Sequence, residues 1–213
     1  MTLRGAERES SLPKEAYYTE KYFGMEQLSS FIHQIHDISK LAPSSIIEIG
    51  LGNGFTSSFL RRSGINVTTV DINPNLEPDI CAPICDLDKH LNPDSKFDLA
   101  VCCEVLEHIP FEEFVENIKT LRKFSDKLYL TLPNYRPSFG ISGFIRLPKF
   151  RRLFGLFIDI PRKKTLEKEH FWEVGSSKET SKKAILQILQ TYYPSARVSR
   201  HNLKPNHYAF VAE

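Results

Sequence analysis

The sequence predicts an α/β fold in which a mostly parallel sheet lies between two layers of helices. Short runs of apolar and β-branched residues are continuous rather than alternating, as in strands that are buried on both faces. Helical patterns separate these runs, which is typical of right-handed crossovers between parallel strands. Together these two observations indicate an open α/β sandwich of three layers.

The periodicity of the apolar residues places the individual elements. A helix is predicted at 25–40, where Met25, Leu28 and Ile32 begin an apolar face at three- and four-residue spacing and Pro43 follows. Strands are predicted at 46–49, 67–70, 80–84, 99–103 and 128–132. Further helices are predicted at 55–62 and 111–124.

The C-terminal part of the sequence predicts a helix followed by a hairpin. The helix is expected at 178–192, and two apolar runs follow at 196–199 and 207–212. The segment 204–206 between them has the sequence Lys-Pro-Asn, which favours a turn. We therefore expect an antiparallel pair of strands at the edge of the sheet.

Composition and charge describe an ordinary globular protein. The chain has 213 residues, a net charge of +2 and a hydrophobic fraction of 41%, values that do not suit a nucleic-acid-binding tail or a disordered chain. Residues 1–14 lack the apolar core of a secretory signal, and no run approaches the roughly 18 apolar residues that span a bilayer. We expect a single domain, 1–213, in the cytoplasm.

The four cysteines, Cys81, Cys85, Cys102 and Cys103, fall within apolar segments. In a chain without an export signal they are expected to be free thiols in a reducing compartment. Zinc sites use paired ligands such as C-x2-C, whereas the spacings here are C-x3-C and C-C. The cysteine pattern therefore predicts no metal site.

A glycine-rich turn, 48–54 with the sequence Glu-Ile-Gly-Leu-Gly-Asn-Gly, follows the first predicted strand and runs directly into a helix. Glycine tolerates positive φ and lets a ligand lie against bare backbone, and the helix N-terminus offers free N–H groups. Asp71 ends the next strand about twenty residues later, where a carboxylate can accept both hydroxyls of a ribose. The turn and Asp71 together predict a nucleotide-like ligand.

A nicotinamide or flavin dinucleotide is the first competitor for this site. Its fingerprint G-x-G-x-x-G needs a third glycine, and counting from Gly50 that position is occupied by Phe55. Glu48 would place a carboxylate near a pyrophosphate, but it suits a ligand with an ammonium group. Spacing and charge favour a cationic ligand, and an NAD-dependent oxidoreductase is the weaker alternative.

Four motifs follow one another along the chain: the run 46–54, the strand end Val70-Asp71, the pair Asp86-Leu87 and the stretch 97–108. In these motifs the sequence resembles the class I S-adenosylmethionine-dependent methyltransferases, in particular the small type 11 branch. The resemblance implies S-adenosylmethionine as cofactor. It also implies a Rossmann-like fold with a seven-stranded sheet whose last strand is antiparallel.

The same resemblance implies roles for individual residues. The glycine turn would contact the methionine part of the cofactor, Asp71 the ribose, and Asp86 with the backbone of Leu87 the adenine. Cys103 and Glu104 would end the fourth strand beside the cofactor. The predicted cofactor-binding residues are Glu48, Gly50, Leu51, Gly52, Asn53, Gly54, Asp71, Ile72, Asp86, Leu87, Cys103 and Glu104.

Two histidines are candidate catalytic residues, because a general base assists methylation of a hydroxyl or a protonated amine. His108 follows the fourth predicted strand and should lie over the methyl-donor end of the pocket. His170 stands beside the single tryptophan, Trp172. A structural role in the loop remains the alternative for His108, and for His170 the alternative is a hinge that docks the neighbouring segment on the core.

Two segments are predicted to flank the site. Residues 1–40 form an N-terminal helical cap, whose Tyr17, Tyr18 and Tyr22 either fold over the cofactor or pack the helix onto the sheet. Residues 133–175, rich in phenylalanine and basic side chains, form a substrate-side insertion. Apolar residues at helical spacing predict an amphipathic basic helix in that insertion. They are Leu147, Phe150, Leu153, Phe154 and Phe157.

Three roles are open for this predicted helix. It packs on the domain, closes as a lid over an anionic acceptor, or makes a peripheral membrane contact through 144–164. A nucleic-acid surface is the weaker alternative, since no recognised binding module accompanies it. The function predicted from the sequence is methyl transfer to an unidentified small-molecule or lipid-like acceptor. A non-catalytic cofactor-binding subunit is the alternative from another class.

Overall fold

The computed structural model of the protein describes residues 5–161 and 165–213. Its main feature is a seven-stranded sheet, and a separate two-stranded hairpin stands beside it. The nine strands are β1 (Ser45–Ile49), β2 (Asn66–Asp71), β3 (Ile80–Cys81), β4 (Leu99–Cys103), β5 (Leu128–Pro133), β6 (Ser138–Leu147), β7 (Phe150–Asp159), β8 (Ala196–Arg200) and β9 (His207–Ala212).

The strand order in the main sheet is β3-β2-β1-β4-β5-β9-β8. Strands β1 to β5 run parallel, and β9 lies antiparallel between β5 and β8. The mostly parallel sheet of seven strands with an antiparallel last strand is therefore confirmed. The order of the strands reverses between β1 and β4, and open sheets of this kind bind ligands at such a switch point.

Helices cover both faces of the sheet. They are α1 (Ala6–Glu9), α2 (Glu20–Phe23), α3 (Met25–Leu41), α4 (Phe55–Arg62), α5 (Leu87–His90), α6 (Phe114–Phe124) and α7 (Lys182–Tyr192). Alternate residues of one strand point into different cores: Ile46 packs with Ile38 and Leu60 of α3 and α4, whereas Ile47 belongs to the core beneath α6 and α7. Burial on both faces explains why the strands are continuously apolar.

The end of the third strand and the start of the last helix differ from the predicted positions. The third strand was expected at 80–84, but only Ile80–Cys81 pairs with β2, because Pro83 has no N–H for the sheet and begins a 3-10 turn. The last helix was expected from residue 178 and begins at Lys182. The Ser181 side chain accepts a hydrogen bond from the backbone N–H of Ala184 and so caps it.

The predicted amphipathic helix in the insertion is wrong, because this segment forms the hairpin of β6 and β7. A two-residue turn, Pro148-Lys149, joins the strands, and the pairs run from Leu147 with Phe150 to Ser138 with Asp159. Short apolar runs fit either period, and the cross-strand partners that decide between them lie up to 21 residues away in sequence. Gly155 also weakens a helix here, because glycine is a poor helix former.

One face of the hairpin is apolar and exposed, and we call it the apolar face. Its opposite side is in contact with the rest of the chain near the hairpin base, where Asp159 accepts a hydrogen bond from Arg200 at 2.6 Å. Arg162, Lys163 and Lys164, which belong to the segment 144–164 for which a membrane contact was predicted, lie outside the described residues. The exposed side chains of the apolar face are Phe139, Ile141, Ile145, Leu147, Phe150, Leu156 and Ile158.

Among the helices in the described ranges, none combines the length and the apolar character needed to cross a bilayer. The longest, α3, has 17 residues and carries buried polar side chains, Ser30 and Gln34 among them.

Candidate active site

A cavity of about 610 Å³ opens at the carboxyl edge of the sheet. The ends of β1, β2 and β4 form its floor, and the N-terminal segment 6–22 forms much of its roof. Both the switch point of the sheet and the glycine turn lie at this edge. The cavity therefore occupies the place where the fold and the sequence both predict a ligand.

The glycine turn has a backbone that side chains would disturb. Gly50, Gly52 and Gly54 have φ angles of 84°, 53° and 70°, in the left-handed region that favours glycine. A Cβ on Gly50 would lie 2.4 Å from Cγ2 of Val105, whereas the Cβ position of Gly52 has no atom within 4 Å among the described residues. Gly50 is thus needed for packing, and Gly52 leaves open space in the cavity wall.

Asp71 holds the glycine turn against β2. One carboxylate oxygen accepts a hydrogen bond from the backbone N–H of Leu51 at 2.7 Å, and the other accepts from Asn73 at 2.8 Å. Burial raises the pKa of this carboxyl, against the effect of hydrogen bonds from the backbone of Asn73, Leu51 and Gly52. A carboxylate offers about four lone-pair sites, so Asp71 can also accept a hydrogen bond from a ligand hydroxyl.

Glu48 is a buried carboxyl in the cavity wall, with 6% of its surface exposed. Burial raises its pKa to about 8, although hydrogen bonding from Ser57 and the charge of Arg61 oppose the shift. Its Oε2 atom has no hydrogen-bond partner in residues 5–161 or 165–213. A ligand ammonium group at this position would satisfy that oxygen.

Glu104, just after β4, has an unusual backbone conformation and an ion pair with a buried lysine. Its φ angle is 58°, left-handed for a non-glycine residue, and such conformations concentrate at functional sites. The Nζ of Lys204, a side chain that is 2% exposed, donates to Oε1 of Glu104 at 3.0 Å, and Ser30 donates to the same oxygen at 2.8 Å. Burial opposes ionisation, but the charges of His207 and Lys204 lower the pKa of Glu104 to about 2.

Three further polar side chains meet at the end of the cavity beyond β4: Glu107, His108 and His170. The two imidazole rings lie edge to face with their centroids 5.0 Å apart. Burial lowers the pKa of His108. Burial also acts on His170, but the hydrogen bond to Glu173 and the charge of Glu107 outweigh it and raise the pKa of His170. The structure thus brings the two predicted catalytic histidines together.

The N-terminal tyrosines cover the cavity rather than only packing a helix. Tyr17 and Tyr22 line it and lie with their ring centroids 5.6 Å apart. The hydroxyl of Tyr18 donates to the backbone carbonyl of Asn53 in the glycine turn at 2.9 Å, and that of Tyr17 donates to Glu9 at 3.0 Å. The cap therefore closes directly over the turn.

Comparison with protein families gives a match over residues 18–166, to the family described as "Methyltransferase domain". The match covers well over half of the chain. The chain belongs to this methyltransferase-domain family. The resemblance to class I methyltransferases is thereby confirmed.

Curated relatives of the methyltransferase domain are similar over part of their length. The ubiquinone biosynthesis O-methyltransferase of Xylella fastidiosa is 28% identical over 125 residues, which are 48% of this chain and 50% of that protein. The protein of the same name from Xanthomonas euvesicatoria is 24% identical over 153 residues, 61% of this chain and 63% of that protein. The chain thus spans half to 63% of the length of these two relatives.

A solved structure shares the fold of the methyltransferase domain. It is the 1,6-didemethyltoxoflavin-N1-methyltransferase of Burkholderia thailandensis with bound 1,6-didemethyltoxoflavin and S-adenosylhomocysteine. The TM-score is 0.57 at 12% sequence identity, covering 100% of this chain and 91% of the other. This likeness confirms the Rossmann-like fold.

The methyltransferase domain brings most of the predicted cofactor residues to the cavity, but Asp86 and Leu87 do not line it. Oδ1 of Asp86 pairs with Nζ of Lys89 at 2.8 Å, and Leu87 is buried in the core. Gly54 lies behind the wall as the residue before α4. The predicted residues that line the cavity are Glu48, Gly50, Leu51, Gly52, Asn53, Asp71, Ile72, Cys103 and Glu104.

Asp86 does not line the cavity because β3 ends early, at Cys81. After Cys81 the chain turns at Pro83, and Ala82, Pro83 and Ile84 form the cavity wall where an adenine contact was expected from Asp86. Asp86 is therefore not among the residues that line the cavity. A direct contact of Asp86 with adenine stays a prediction.

The sequence did not predict a role for Lys204 or Glu107. The sequence predicted only a turn for 204–206, and a lysine in a turn is normally solvated. The pairing of β9 with β5 carries Lys204 to the cavity, where its Nζ also donates to Gln27 at 3.1 Å. Glu107 stood in the quoted stretch 97–108, but nothing in the local pattern showed that it is 1% exposed.

Proposed function

We propose that the chain is an S-adenosylmethionine-dependent methyltransferase that acts on a hydroxyl group of a small or lipid-like acceptor. The observation that carries the proposal is the cavity wall in which the open glycine turn, Asp71 and the unpartnered Glu48 oxygen stand side by side. The O-methyltransferase names of the curated relatives support an oxygen acceptor.

The residues of the wall fit S-adenosylmethionine better than a dinucleotide. Glu48 would bind the ammonium group, which satisfies its free oxygen and favours its ionised form. Asp71 would accept the ribose hydroxyls while it keeps the turn in place. A pyrophosphate would instead meet the Glu48 carboxyl and the Glu104 carboxylate, which also lines the cavity.

When bound, S-adenosylmethionine supplies the methyl group, whose bond to sulfur breaks with the electron pair returning to sulfur as the acceptor oxygen forms the new bond to carbon. The chain's own residues have three tasks. The tyrosine cap excludes water, the turn and Asp71 fix the donor, and the end of the cavity with His108 and His170 receives the acceptor. A general base at this end, for which His108 and His170 are the candidates, would take the proton of the hydroxyl.

The hairpin suggests where the acceptor comes from. Its apolar face is exposed, with Leu156 and Ile158 about three-quarters accessible. Between residues 138 and 158 there is no acidic residue, and the four basic residues surround the hairpin turn. They are Arg146, Lys149, Arg151 and Arg152.

Exposed apolar side chains beside basic residues are the two signals that peripheral proteins combine to bind a membrane with anionic lipids. We propose that the apolar face of the hairpin contacts the membrane. The segment 133–175, which contains the hairpin, is then the substrate-side insertion. A membrane-dissolved acceptor could then reach the cavity from the hairpin side. The exposed thiols of Cys81 and Cys85 suit the cytosolic surface of that membrane.

Calorimetry tests the cofactor. S-adenosylmethionine and S-adenosylhomocysteine should both bind, and Asp71→Ala should lose most of that binding, while far-UV circular dichroism reports its fold. Tight binding of NAD⁺ without binding of either sulfur compound would overturn the proposal.

Turnover needs a second experiment, with cofactor that carries a labelled methyl group and a fractionated extract. Label should enter a small-molecule or lipid fraction. Cofactor binding without transfer to any fraction would identify a non-catalytic cofactor-binding subunit instead.

A further inference from the structure

Glu107, His108 and His170 converge in a way that the proposed donor site does not explain. Glu107 and His108 stand in the 3-10 turn Leu106–His108 after β4, and His170 comes from the far end of the insertion. One ligating atom from each side chain lies within 4.8 Å of those of the other two. Metal–ligand bonds of about 2.1 Å separate opposite ligand atoms by about 4.2 Å, so a small adjustment brings the three to coordination distance.

Two polar atoms of this cluster are buried and unsatisfied. Neither Oε2 of Glu107 nor Nδ1 of His108 has a hydrogen-bond partner in the part of the chain that the structure describes. Burial raises the pKa of Glu107 to about 8, although the charge of His170 opposes the shift. A buried carboxyl oxygen without a partner is unusual in a native protein, and a cation in the cluster would satisfy both atoms at once.

Neighbouring groups orient both imidazoles as metal-binding proteins do. Oε1 of Glu173, a fully buried side chain, lies 3.1 Å from Nδ1 of His170. His108 is hydrogen-bonded to the backbone of Glu169, which fixes its ring while Nδ1 stays available. A carboxylate or carbonyl behind each histidine sets the tautomer and keeps the opposite nitrogen as a ligand.

We infer that Glu107, His108 and His170 bind a divalent transition-metal cation at the acceptor end of the cavity. Two imidazoles with one carboxylate suit Mn²⁺, Fe²⁺ or Zn²⁺ better than Mg²⁺ or Ca²⁺, which prefer oxygen ligands. Three protein ligands leave coordination positions open toward the cavity. The cysteine spacings predicted no metal site, and these three side chains are a different set.

The cation has a direct use if the proposed methyl transfer is correct. A hydroxyl bound to a divalent cation loses its proton to water more readily than a free hydroxyl, and the resulting oxyanion is the better nucleophile. His108 and His170 then act as ligands rather than as general bases. Only this use rests on the proposed function, since cation binding is a property of the three side chains.

Mn²⁺ is the probe for the test, because its paramagnetic spectrum reports binding without any turnover. The full chain, freed of any tag and dialysed against a chelator, is titrated with Mn²⁺ and followed by electron paramagnetic resonance. One tightly bound Mn²⁺ per chain is expected, and pulsed measurements should show coupling to imidazole nitrogen. Absence of tight binding, or bound Mn²⁺ without nitrogen coupling, overturns the inference.

Variants locate the ion. Glu107→Gln and His170→Gln should each weaken Mn²⁺ binding at least tenfold, whereas His36→Gln and Glu112→Gln, at exposed positions, should leave it unchanged. Equal binding in all four variants would place the ion elsewhere and overturn the inference. Circular dichroism checks the fold, and the nitrogen coupling in the unaltered chain decides the matter if a buried variant fails to fold.

Calorimetry with S-adenosylhomocysteine on the same samples separates the two proposals. If S-adenosylhomocysteine binds and Mn²⁺ does not, the cation site is refuted and the proposed function stands. If Mn²⁺ binds and S-adenosylhomocysteine does not, the cation site stands and the proposed function fails.

Discussion

The glycine turn and the β6–β7 hairpin are both built from short apolar strands with glycines, yet they differ in what surrounds them. Ile47 and Ile49, which lead into the turn, are buried between the sheet and its helices. In the hairpin, Ile141 and Leu156 pair with each other and are largely exposed. Apolar residues in the first region stabilise the fold, whereas those in the second leave an apolar surface that folding does not require.

The two regions also differ in charge. The cavity collects carboxyl groups, among them Glu48, Asp71, Glu104 and Glu107, while the hairpin between residues 138 and 158 has basic residues and no acid. An acidic cavity suits cationic ligands, and a basic apolar surface suits anionic membranes. Changes in one region should therefore leave the function of the other intact.

The largest effect is expected from Gly50→Ala, because the new Cβ would lie 2.4 Å from Val105 at a φ angle of 84°. Strain and collision should weaken S-adenosylhomocysteine binding by about 100-fold, the equivalent of about 3 kcal/mol. Calorimetry measures this. Gly64→Ala is the matched control, since Gly64 also has a positive φ but open space around it. Equal losses of binding in both variants would contradict the role of the turn.

The next effect concerns pH. The pKa of Glu48 is raised to about 8 by burial, so the neutral acid predominates below that pH and a proton must leave before the carboxylate can bind an ammonium group. Affinity for S-adenosylmethionine should rise with pH from about 6 to about 8, by at most roughly tenfold per pH unit. Calorimetry across this range tests the slope.

Glu48→Gln is the control for that pH dependence. This variant cannot ionise at residue 48, so it should bind S-adenosylmethionine more weakly and with a flat profile. A slope that survives in Glu48→Gln would assign the titration to another group.

A smaller effect is expected on the hairpin. Lys149→Gln together with Arg151→Gln removes two charges near the turn, and each is worth about 1 kcal/mol at an anionic membrane, so binding should weaken about 30-fold. Sedimentation with vesicles that contain phosphatidylserine measures it. The exposed pair Lys178→Gln and Lys183→Gln serves as control. Vesicle binding that is absent in the unaltered chain, or equal in both pairs, would refute the membrane contact.

The smallest effect is expected from shortening the hairpin. Replacing residues 142–155 by Asn-Gly joins the paired Ile141 and Leu156 through a two-residue turn and keeps the contact of Asp159 with Arg200. The melting temperature should change by no more than about 4 °C, since most of the residues that are removed are exposed. S-adenosylhomocysteine affinity should be unchanged. A drop of more than about 10 °C would show that the hairpin packs as part of the core.

Much of the fold could be predicted because its information is local. The buried strands, the turn that joins β1 to α4 and the acid at the end of β2 are consecutive in sequence and follow from periodicity and from the special backbone of glycine. The position of Asp71 beside the turn was predicted for the same reason. Parallel neighbours in a sheet end at the same edge, so order along the chain already fixes their proximity.

What the sequence did not predict depends on contacts between segments that are distant along the chain. The period of residues 147–157 fits a helix as well as a strand, and only the pairing of β6 with β7 decides it. The burial of Lys204 depends on β9 entering the sheet beside β5, and the meeting of His108 with His170 depends on two loops sixty residues apart.

The sequence by itself therefore determined the layered architecture, the family and the wall of the cavity that the glycine turn and Asp71 form. The tertiary structure decided the form of the insertion, the ion pair of Glu104 with Lys204 and the cluster of Glu107, His108 and His170. The physical reason is that local backbone preference and burial pattern are encoded in neighbouring residues. The polar groups at the end of the cavity beyond β4 come together only when non-local strands and loops pack against one another.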